Sequence, residues 1–232
     1  MLFVEGVNQF YGESQALWAL SLSVPEGSCT CLMGRNGVGK TTTLEAVMGL
    51  LPIRSGRIRF QDQVLSSSPA ESRAKNGIAY VPQGRRIFAR LTVEENLRIG
   101  LSTNSGARGR KALERVLELF PVLGEMMHRF GGDLSGGQQQ QLAVGRALVL
   151  EPTLLILDEP TEGIQPNVVH EIGDTILRLN RDAGLSVLLV EQKLPLARRV
   201  ADRFYVLDKG RSVAEGLIDE LSDSIVAQYL TV

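Results

Sequence analysis

The segment GRNGVGKT at residues 34–41 is the feature that most constrains this chain. The apolar run SCTCLM before it has the character of a strand, and TTTLEAVMGLL after it has apolar residues at helical spacing. A strand, a glycine-rich loop and a helix in this order are the context that a GxxxxGK(S/T) phosphate-binding motif requires. The sequence therefore predicts an α/β fold with a nucleotide-binding core.

The residue types in this loop suit a triphosphate, which is a dense cluster of negative charge. The glycines let the backbone curl so that successive N–H groups point at phosphate oxygens, and the following helix adds the positive end of its dipole. We expect Lys40 to contact the β- and γ-phosphates and the Thr41 hydroxyl to bind magnesium. The residues predicted to contact the nucleotide in this phosphate-binding loop are Gly34, Arg35, Asn36, Gly37, Val38, Gly39, Lys40, Thr41 and Thr42.

A pair of adjacent carboxylates stands at the end of a second apolar run. LLILD at 154–158 and a later run, VLLVE at 187–191, are typical of strands buried on both faces of a parallel sheet. Asp158 is placed to coordinate the magnesium, usually through water, and Glu159 to orient and deprotonate the attacking water. The alternative is a solubilising charge at a strand end, but the phosphate-binding motif upstream favours the catalytic interpretation.

A second anion site is predicted from LSGGQ at residues 134–138, which we call the signature segment. Ser135 stands where a helix N-cap belongs, and Gly136 and Gly137, followed by Gln138, expose backbone N–H groups at a helix start. One nucleotide has little use for two phosphate sites in one chain. We therefore expect a head-to-tail dimer, with ATP between the phosphate-binding loop of one copy and the signature segment of the other.

The 232 residues fit one domain. We expect a nucleotide-binding core at about 1–84 and 151–232, with a helical lobe inserted at about 85–150. LFVEGV and ALSLSV predict strands, and GRIRFQDQVL and KGRSVAEG predict hairpin arms. The segment STNSGARGR, at 102–110, is expected to be a flexible surface link whose arginines are a solvated helix start.

Charge and hydropathy limit the partners. Lys and Arg number 25 and Asp and Glu 26, which argues against a dedicated nucleic-acid binder, and we expect no nucleic-acid partner. The opening residues lack a basic stretch followed by an apolar one, and no run approaches the roughly 18 apolar residues of a bilayer span. We expect the protein to stay in the cytoplasm and to reach a membrane through a partner.

Together these motifs resemble the ABC ATPase family over essentially the whole chain. The resemblance implies a P-loop NTPase with an ABC-type nucleotide-binding domain, an antiparallel β subdomain and an inserted helical subdomain, which hydrolyses ATP with Mg²⁺. Tyr11 matches an aromatic residue that stacks on adenine in this family, with a core tyrosine as the alternative. Gln83 matches a glutamine that contacts the magnesium, and GRRIFARLTVEENL at 84–97 matches the region that receives the coupling helix of a membrane subunit.

Two positions depart from the family pattern. Gln192 follows VLLVE where the family usually has a histidine that contacts the γ-phosphate. Glutamine can donate a hydrogen bond to a phosphate but cannot carry a proton at neutral pH. We therefore predict that Gln192 acts beside Glu159 in catalysis without a proton-relay role. Gln165 replaces the aspartate that the family uses in a contact across the dimer.

The VEQ motif is similar to the ATPases of branched-chain amino acid and amide transporters, and GGDLSGGQQQQLA with DEPTEGIQP looks most like the urea branch of that group. This resemblance implies an importer motor at the cytoplasmic face of the inner membrane. Its implied partners are a second copy or a paralogous ATPase, two transmembrane permease subunits and, indirectly, a solute-binding protein. The expected solute is urea or a short-chain amide, with branched-chain amino acids as the alternative.

Two other classes fit this sequence less well. Non-transport ABC ATPases that act on DNA or ribosomes typically split the motifs with a long coiled coil or join two ATPase domains. Here there is one set of motifs, and fewer than a hundred residues separate the phosphate-binding loop from the signature segment. A small-molecule kinase would lack the signature segment.

Overall fold

The structure, a computed structural model, describes residues 1–101 and 106–231. Its strands fall into two sheets. In chain order the strands are β1 (Leu2–Tyr11), β2 (Ser14–Val24), β3 (Cys29–Met33), β4 (Ser55–Phe60), β5 (Gln63–Val64), β6 (Ile78–Val81), β7 (Leu154–Asp158), β8 (Ser186–Val190), β9 (Arg203–Asp208) and β10 (Arg211–Leu217).

An antiparallel sheet with the order β2-β1-β4-β5 forms the predicted β subdomain. Strand β1 pairs with both β2 and β4, and buried residues recur along it at nearly every second position, as in a strand with one face on a core. GRIRFQDQVL forms the predicted hairpin of β4 and β5, and KGRSVAEG supplies β10, which pairs with β9. These predictions are confirmed.

The second sheet has the order β10-β9-β3-β8-β7-β6, and every pair from β9 to β6 is parallel. All residues of β3, β7 and β8 are buried. Burial on both faces explains why the sequences of these strands are almost continuously apolar. The prediction that LLILD and VLLVE are buried parallel strands is confirmed.

The helices are α1 (Lys40–Met48), α2 (Ala70–Lys75), α3 (Val93–Gly100), α4 (Gly106–Leu119), α5 (Pro121–Glu125), α6 (Gly136–Leu148), α7 (Pro166–Leu177), α8 (Leu194–Val200) and α9 (Asp223–Tyr229). Helices α3 to α6 lie between β6 and β7 in the chain and form the inserted helical subdomain, in which α3 packs on α6. Within 1–101 and 106–231, no helix combines the length and the apolar character that crossing a bilayer requires.

The link predicted from STNSGARGR agrees only in part with the structure. Residues 102–105 lie outside the described residues. From Gly106 onward the chain is already helical, so the expectation of a link is wrong there, because the amphipathic pattern of LERVLELF extends back through this segment. The arginines do stand at the helix start as predicted: Arg110 is exposed, and Arg108 pairs with Glu151.

The order of the parallel strands gathers four loops at one edge of the sheet. Strands β3, β8, β7 and β6 are neighbours in that order, so their carboxyl ends meet. The phosphate-binding loop follows β3, and Gln192 follows β8. Asp158 ends β7 and Glu159 follows it, and Gln83 follows β6. The topology therefore brings together segments that are far apart in the sequence.

A buried arginine connects α1 to the β subdomain. Arg73 on α2 is 2% exposed, and its guanidinium donates to the carbonyls of Ala46, Val47, Leu65 and Ser68 at 2.6–2.9 Å. Burial lowers the pKa of Arg73. The charge is compensated because a helix C-terminus presents carbonyls without helical partners and favours a nearby cation.

We expect Arg73→Met to lower the free energy of unfolding by about 2–4 kcal/mol, because buried carbonyls would lose their charged donor. Urea denaturation at pH 7 would measure the change. Lys75→Met is the matched control, since Lys75 lies on the same helix, is exposed and pairs with Glu71, and its unfolding midpoint should stay near that of the wild type. An equal loss in both variants would contradict the role assigned to Arg73.

Candidate active site

The backbone of the phosphate-binding loop depends on glycine at two places. Gly34 has a φ of +148°, and a Cβ added there would lie 2.4 Å from the carbonyl oxygen of Leu207. Gly39, with a φ of +108°, is the N-cap of α1. The amide of Thr43 donates to the carbonyl of Gly39, so the preceding amides of α1 have no carbonyl partner within the helix. These amides and the helix dipole suit an anion.

Lys40 is buried, and its side chain turns into the phosphate-binding loop. Its Nζ donates to the carbonyls of Gly34 and Arg35, each at 2.9 Å, and lies 3.4 Å from Glu159 Oε1. The lysine thus connects the loop after β3 with the carboxylate after β7. An ammonium held by backbone carbonyls at this point can exchange such a contact for a stronger one with a phosphate oxygen.

Three other side chains of the phosphate-binding loop each contact a different part of the protein. Arg35 Nη2 donates to the carbonyl of Thr231, so this side chain contacts the C-terminal segment. Asn36 Oδ1 accepts from Gln192 Nε2 at 2.7 Å. Val38 is partly buried and packs against the core beside the antiparallel sheet. Of these side chains, Asn36 is therefore the one that joins the loop to the segment after β8.

Tyr11 ends β1 at the surface. Its side chain is 50% exposed, and its hydroxyl lies 3.3 Å from the Thr42 hydroxyl on the first turn of α1. The exposure excludes the alternative of a core tyrosine. The ring lies next to the helix that follows the phosphate-binding loop, where a planar base can stack on it.

Asp158 has the surroundings expected of a cation ligand. The residue is 2% exposed, and its Oδ2 accepts from the Thr41 hydroxyl at 3.1 Å and the Tyr80 hydroxyl at 3.3 Å. Its Oδ1 is buried and has no hydrogen-bond partner among the described residues. Burial raises the pKa of Asp158, and the bonds from Thr41 and Tyr80 oppose the rise. A buried carboxylate oxygen without a donor, beside a hydroxyl, fits Mg²⁺, which prefers oxygen ligands.

Glu159 has a strained backbone and several polar contacts. Its φ of +47° lies in the left-handed region, and its amide donates to the carbonyl of Val190 at 2.9 Å. Glu159 Oε1 accepts from Gln192 Nε2 at 2.7 Å, and Oε2 accepts from Gln83 Nε2 at 3.4 Å. Strain of this kind persists where the surrounding structure fixes it, and such places are often functional.

A second buried carboxylate fixes the segment after β8. Glu191 accepts from the amides of Gln192 and Lys193, both at 2.8 Å, and from the Thr161 hydroxyl at 2.7 Å. The side-chain amide of Gln192 then donates both to the phosphate-binding loop and to Glu159. Gln192 therefore bridges two loops of the site, as a group with two N–H donors can.

The signature segment begins α6 as predicted. Ser135 is the N-cap and forms a capping box with Gln138, in which the Gln138 amide donates to Ser135 Oγ at 3.4 Å and the Ser135 amide to Gln138 Oε1 at 2.9 Å. Gly136 and Gly137 open the helix. In the described part of the chain, no hydrogen bond joins this segment to the phosphate-binding loop. The structure of one chain does not bring the two anion sites together.

The chain that holds these sites is similar to known proteins in both sequence and fold. The family model described as ABC transporter matches residues 17–162, which include the phosphate-binding loop, the signature segment and Glu159. This chain belongs to the ABC transporter family. It is an ATP-binding protein with the ABC cassette fold, and its activity is that of an ATPase.

Two relatives and one solved structure illustrate the similarity. The high-affinity branched-chain amino acid transport ATP-binding protein BraG of Pseudomonas aeruginosa is 43% identical over 92% of this chain and 91% of its own. The probable branched-chain amino acid transport ATP-binding protein LivF of Archaeoglobus fulgidus is 38% identical over 95% of this chain and 94% of its own. The post-hydrolysis dimeric structure of the ATP-binding cassette MJ0796 bound to ADP and Pi has a TM-score of 0.84 and 26% identity, covering 94% of this chain and 99% of that one. The predicted ABC fold is confirmed.

Three residues of this ABC site are not predicted by the sequence motifs. Tyr80 reaches Asp158 because β6 pairs with β7, which the apolar string IAYVPQ does not reveal. Glu162 accepts from Gln83 Nε2 at 2.8 Å. Glu191 follows a buried apolar strand, as Glu159 does, and this signal could have identified it.

We expect Tyr80→Phe to weaken magnesium-dependent nucleotide binding. The hydroxyl lowers the pKa of Asp158, so its removal should raise this pKa further, and protons compete with a cation for the carboxylate. The Mg²⁺ concentration for half-maximal binding of a fluorescent ATP analogue should rise roughly 3–10-fold, and more at pH 5.5 than at pH 8. Tyr229→Phe serves as the control. An unchanged Mg²⁺ requirement at both pH values would show that Tyr80 does not act on Asp158.

Proposed function

We propose that this chain is the ATP-hydrolysing subunit of an importer whose solute is a branched-chain amino acid. The observation that carries the proposed ATP hydrolysis is the set of contacts around Glu159, where Lys40, Gln83 and Gln192 converge from three other loops. Its cellular role is supported by BraG and LivF, whose names describe branched-chain amino acid transport and whose similarity spans more than nine-tenths of this chain.

ATP is bound by the phosphate-binding loop and the first residues of α1, with Tyr11 stacking on the adenine. The loop amides and the ammonium of Lys40 carry the interaction with the phosphates. Thr41 and Asp158, together with Gln83, are the proposed ligands of Mg²⁺. When bound there, Mg²⁺ would neutralise charge on the phosphate oxygens.

Glu159 is the proposed general base. Its carboxylate accepts a proton from the attacking water as the oxygen of that water bonds to the γ-phosphorus and the bond to the ADP oxygen breaks. Gln192 holds the carboxylate by a hydrogen bond and donates another to the phosphate. Because a side-chain amide cannot transfer a proton at neutral pH, Gln192 takes no part in the proton transfer. Glu159 is therefore the one proposed proton acceptor of each copy.

The signature segment serves the nucleotide of a second copy or of a paralogous ATPase. The amides of Gly136 and Gly137 open α6, and the positive end of a helix dipole attracts an anion. The similar cassette MJ0796 is dimeric with ADP and Pi bound, which supports a dimer here. Each active site would then be completed by its partner.

Two transmembrane permease subunits are the proposed membrane partners. A groove of about 300 Å³ lies between the core and the helical subdomain, beside the stretch 84–97, and is lined in part by Phe88, Ile99 and Leu150. Phe88 is 46% and Ile99 42% exposed, and exposed apolar side chains in a groove suit a helix of a partner. Through the permeases the chain would lie at the cytoplasmic face of the inner membrane and act with a solute-binding protein.

The solute in this proposal differs from the one expected from the sequence. The strings GGDLSGGQQQQLA and DEPTEGIQP led to urea or a short-chain amide, with branched-chain amino acids as the alternative. Both relatives described above carry names of branched-chain amino acid transport, which favours the alternative. Urea specificity has no comparable support.

Glu159→Gln should bind ATP and accumulate as a dimer, while its turnover falls roughly 10²–10⁴-fold, because the amide cannot accept the proton. Phosphate release would measure turnover, and light scattering with and without ATP would measure assembly. Glu215→Gln, at an exposed position of β10, should behave as the wild type. Normal hydrolysis by Glu159→Gln would refute the assignment of the base.

Affinity purification of the tagged chain from native membranes should recover two proteins with multiple membrane spans. Deletion of the gene should abolish uptake of labelled leucine, and a plasmid copy with Glu159→Gln should not restore it. Loss of urea uptake with normal leucine uptake would return the assignment to the urea branch. Recovery of DNA or ribosomes in place of membrane proteins would contradict the importer.

A further inference from the structure

Arg85 lies between two parts of the site that the proposed mechanism must connect. It follows Gln83 closely in the loop after β6, and its side chain turns toward α6. Nη1 donates to Gln139 Oε1 at 3.2 Å, and Nη2 lies 3.5 Å from the carbonyl oxygen of Glu162. One guanidinium therefore contacts both the helix that begins with the signature segment and the turn that follows Glu159.

The backbone at Arg85 is held in an uncommon conformation. Gly84, Arg85 and Arg86 have φ values of +77°, +67° and +43°, and the amide of Arg86 donates to the carbonyl of Gly84 at 2.7 Å. Residues other than glycine seldom adopt this region, and two in succession are rarer still. The conformation directs Arg85 toward α6 while Gln83 faces Glu159. Such a conformation persists where the surrounding structure fixes it, and it is found most often at functional sites.

Stabilisation of α6 does not explain where this side chain lies. A Cβ added to Gly136 would lie 3.2 Å from Arg85 Nη1 and 3.3 Å from Nη2, so the guanidinium is next to the first residue of the helix. A cation at a helix N-terminus is electrostatically unfavourable. Its contacts with Gln139 and with the turn at Glu162 give a different reason for the position, which is that the side chain connects these two segments.

Hydrogen bonds continue the connection in both directions from Arg85. On one side, Gln139 Nε2 donates to the carbonyls of Gly131 at 3.3 Å and Leu134 at 3.2 Å, so Gln139 fixes the turn that enters the signature segment. On the other side, the Glu162 carboxylate accepts from Gln83 Nε2 at 2.8 Å. That same Nε2 lies 3.4 Å from Glu159 Oε2. Contacts thus extend from the signature segment to the proposed base.

We propose that Arg85 is a positioning residue that couples engagement of the signature segment to the catalytic glutamate of the same chain. The inference rests on the proposed function, because it requires the ATP of a second copy to contact the signature segment. Movement of α6 on that contact is transmitted through Gln139 to Arg85, and from Arg85 to the turn at Glu162. This turn positions Gln83 and Glu159. The two active sites of the dimer are thereby made dependent on each other.

The first test compares Arg85→Met with the wild type in phosphate release at increasing ATP concentration. We expect kcat to fall roughly 10–100-fold, as for a modest misplacement of catalytic groups, and the Hill coefficient to fall to about 1. Binding of a fluorescent ATP analogue to the nucleotide-free chain should stay within roughly twofold. Arg110→Ala, an exposed arginine of the helical subdomain, is the control and should match the wild type in all three measurements.

Arg85→Lys separates geometry from charge. A single ammonium does not reproduce the fork that contacts Gln139 and Glu162 together, so this variant should be as impaired as Arg85→Met. If Arg85→Lys has the kcat and Hill coefficient of the wild type, the coupling role is overturned and only the positive charge of Arg85 matters.

A double variant tests assembly. Arg85→Met combined with Glu159→Gln should still form a dimer with ATP, and failure to form this dimer would overturn the proposal in favour of a structural role.

The two ends of the connection provide a further test, which applies even when Arg85→Met does not fold. Gln139→Ala and Glu162→Ala should each lower kcat and the Hill coefficient without loss of ATP binding, and wild-type behaviour of both would overturn the proposal. Where Arg85→Met folds, its combination with Gln139→Ala should be no worse than Arg85→Met alone. A wild-type chain without ATPase activity, together with Glu159→Gln that does not dimerise, would instead refute the proposed function.

Discussion

The parallel sheet is the constraint on which the active site depends. Strands β3, β7 and β8 are buried on both faces, where a polar side chain is costly to place, and their residues are almost all apolar. The chemistry is therefore confined to the residues where each strand ends. Because the strands are parallel and adjacent, these residues meet at one edge, and Thr41 and Asp158 share a hydrogen bond although 117 positions separate them.

Features set by neighbouring residues could be predicted from the sequence. The phosphate-binding loop, the N-cap at Ser135 and the buried strand ending at Asp158 each depend on a short string whose residue types fix the local structure. Contacts between distant strings could not be predicted, because periodicity does not specify which strands pair. Tyr80 meets Asp158 because β6 pairs with β7, and Arg85 meets Gln139 because the loop after β6 turns toward α6. The helix start at Gly106 could not be predicted either, because the glycine and serine residues of this segment suggest a loop.

The strings that resembled a urea transporter show why a solute is hard to infer from a motor subunit. In DEPTEGIQP, Glu162 accepts from Gln83, and Gln165 is the N-cap of α7. Glu162 thus contacts the loop after β6, and Gln165 begins a helix, so both residues make contacts within this chain. Such contacts depend on the structure of this subunit, whereas solute selection would belong to the proposed membrane and binding partners. Overall relatedness along the chain is a better guide than any single string.

The Glu159 carboxylate illustrates how rigidity and reactivity are combined in this fold. A left-handed backbone at a residue other than glycine costs about 1–2 kcal/mol, which the surrounding contacts must offset. The bond of its amide to Val190 joins the residue to a buried strand, and Gln192 and Lys40 hold the carboxylate from two sides. For Glu159 as the proposed general base, this support would leave little reorganisation when a water molecule is presented to it. The buried sheet thus supplies the support that makes the strained position of this carboxylate tolerable.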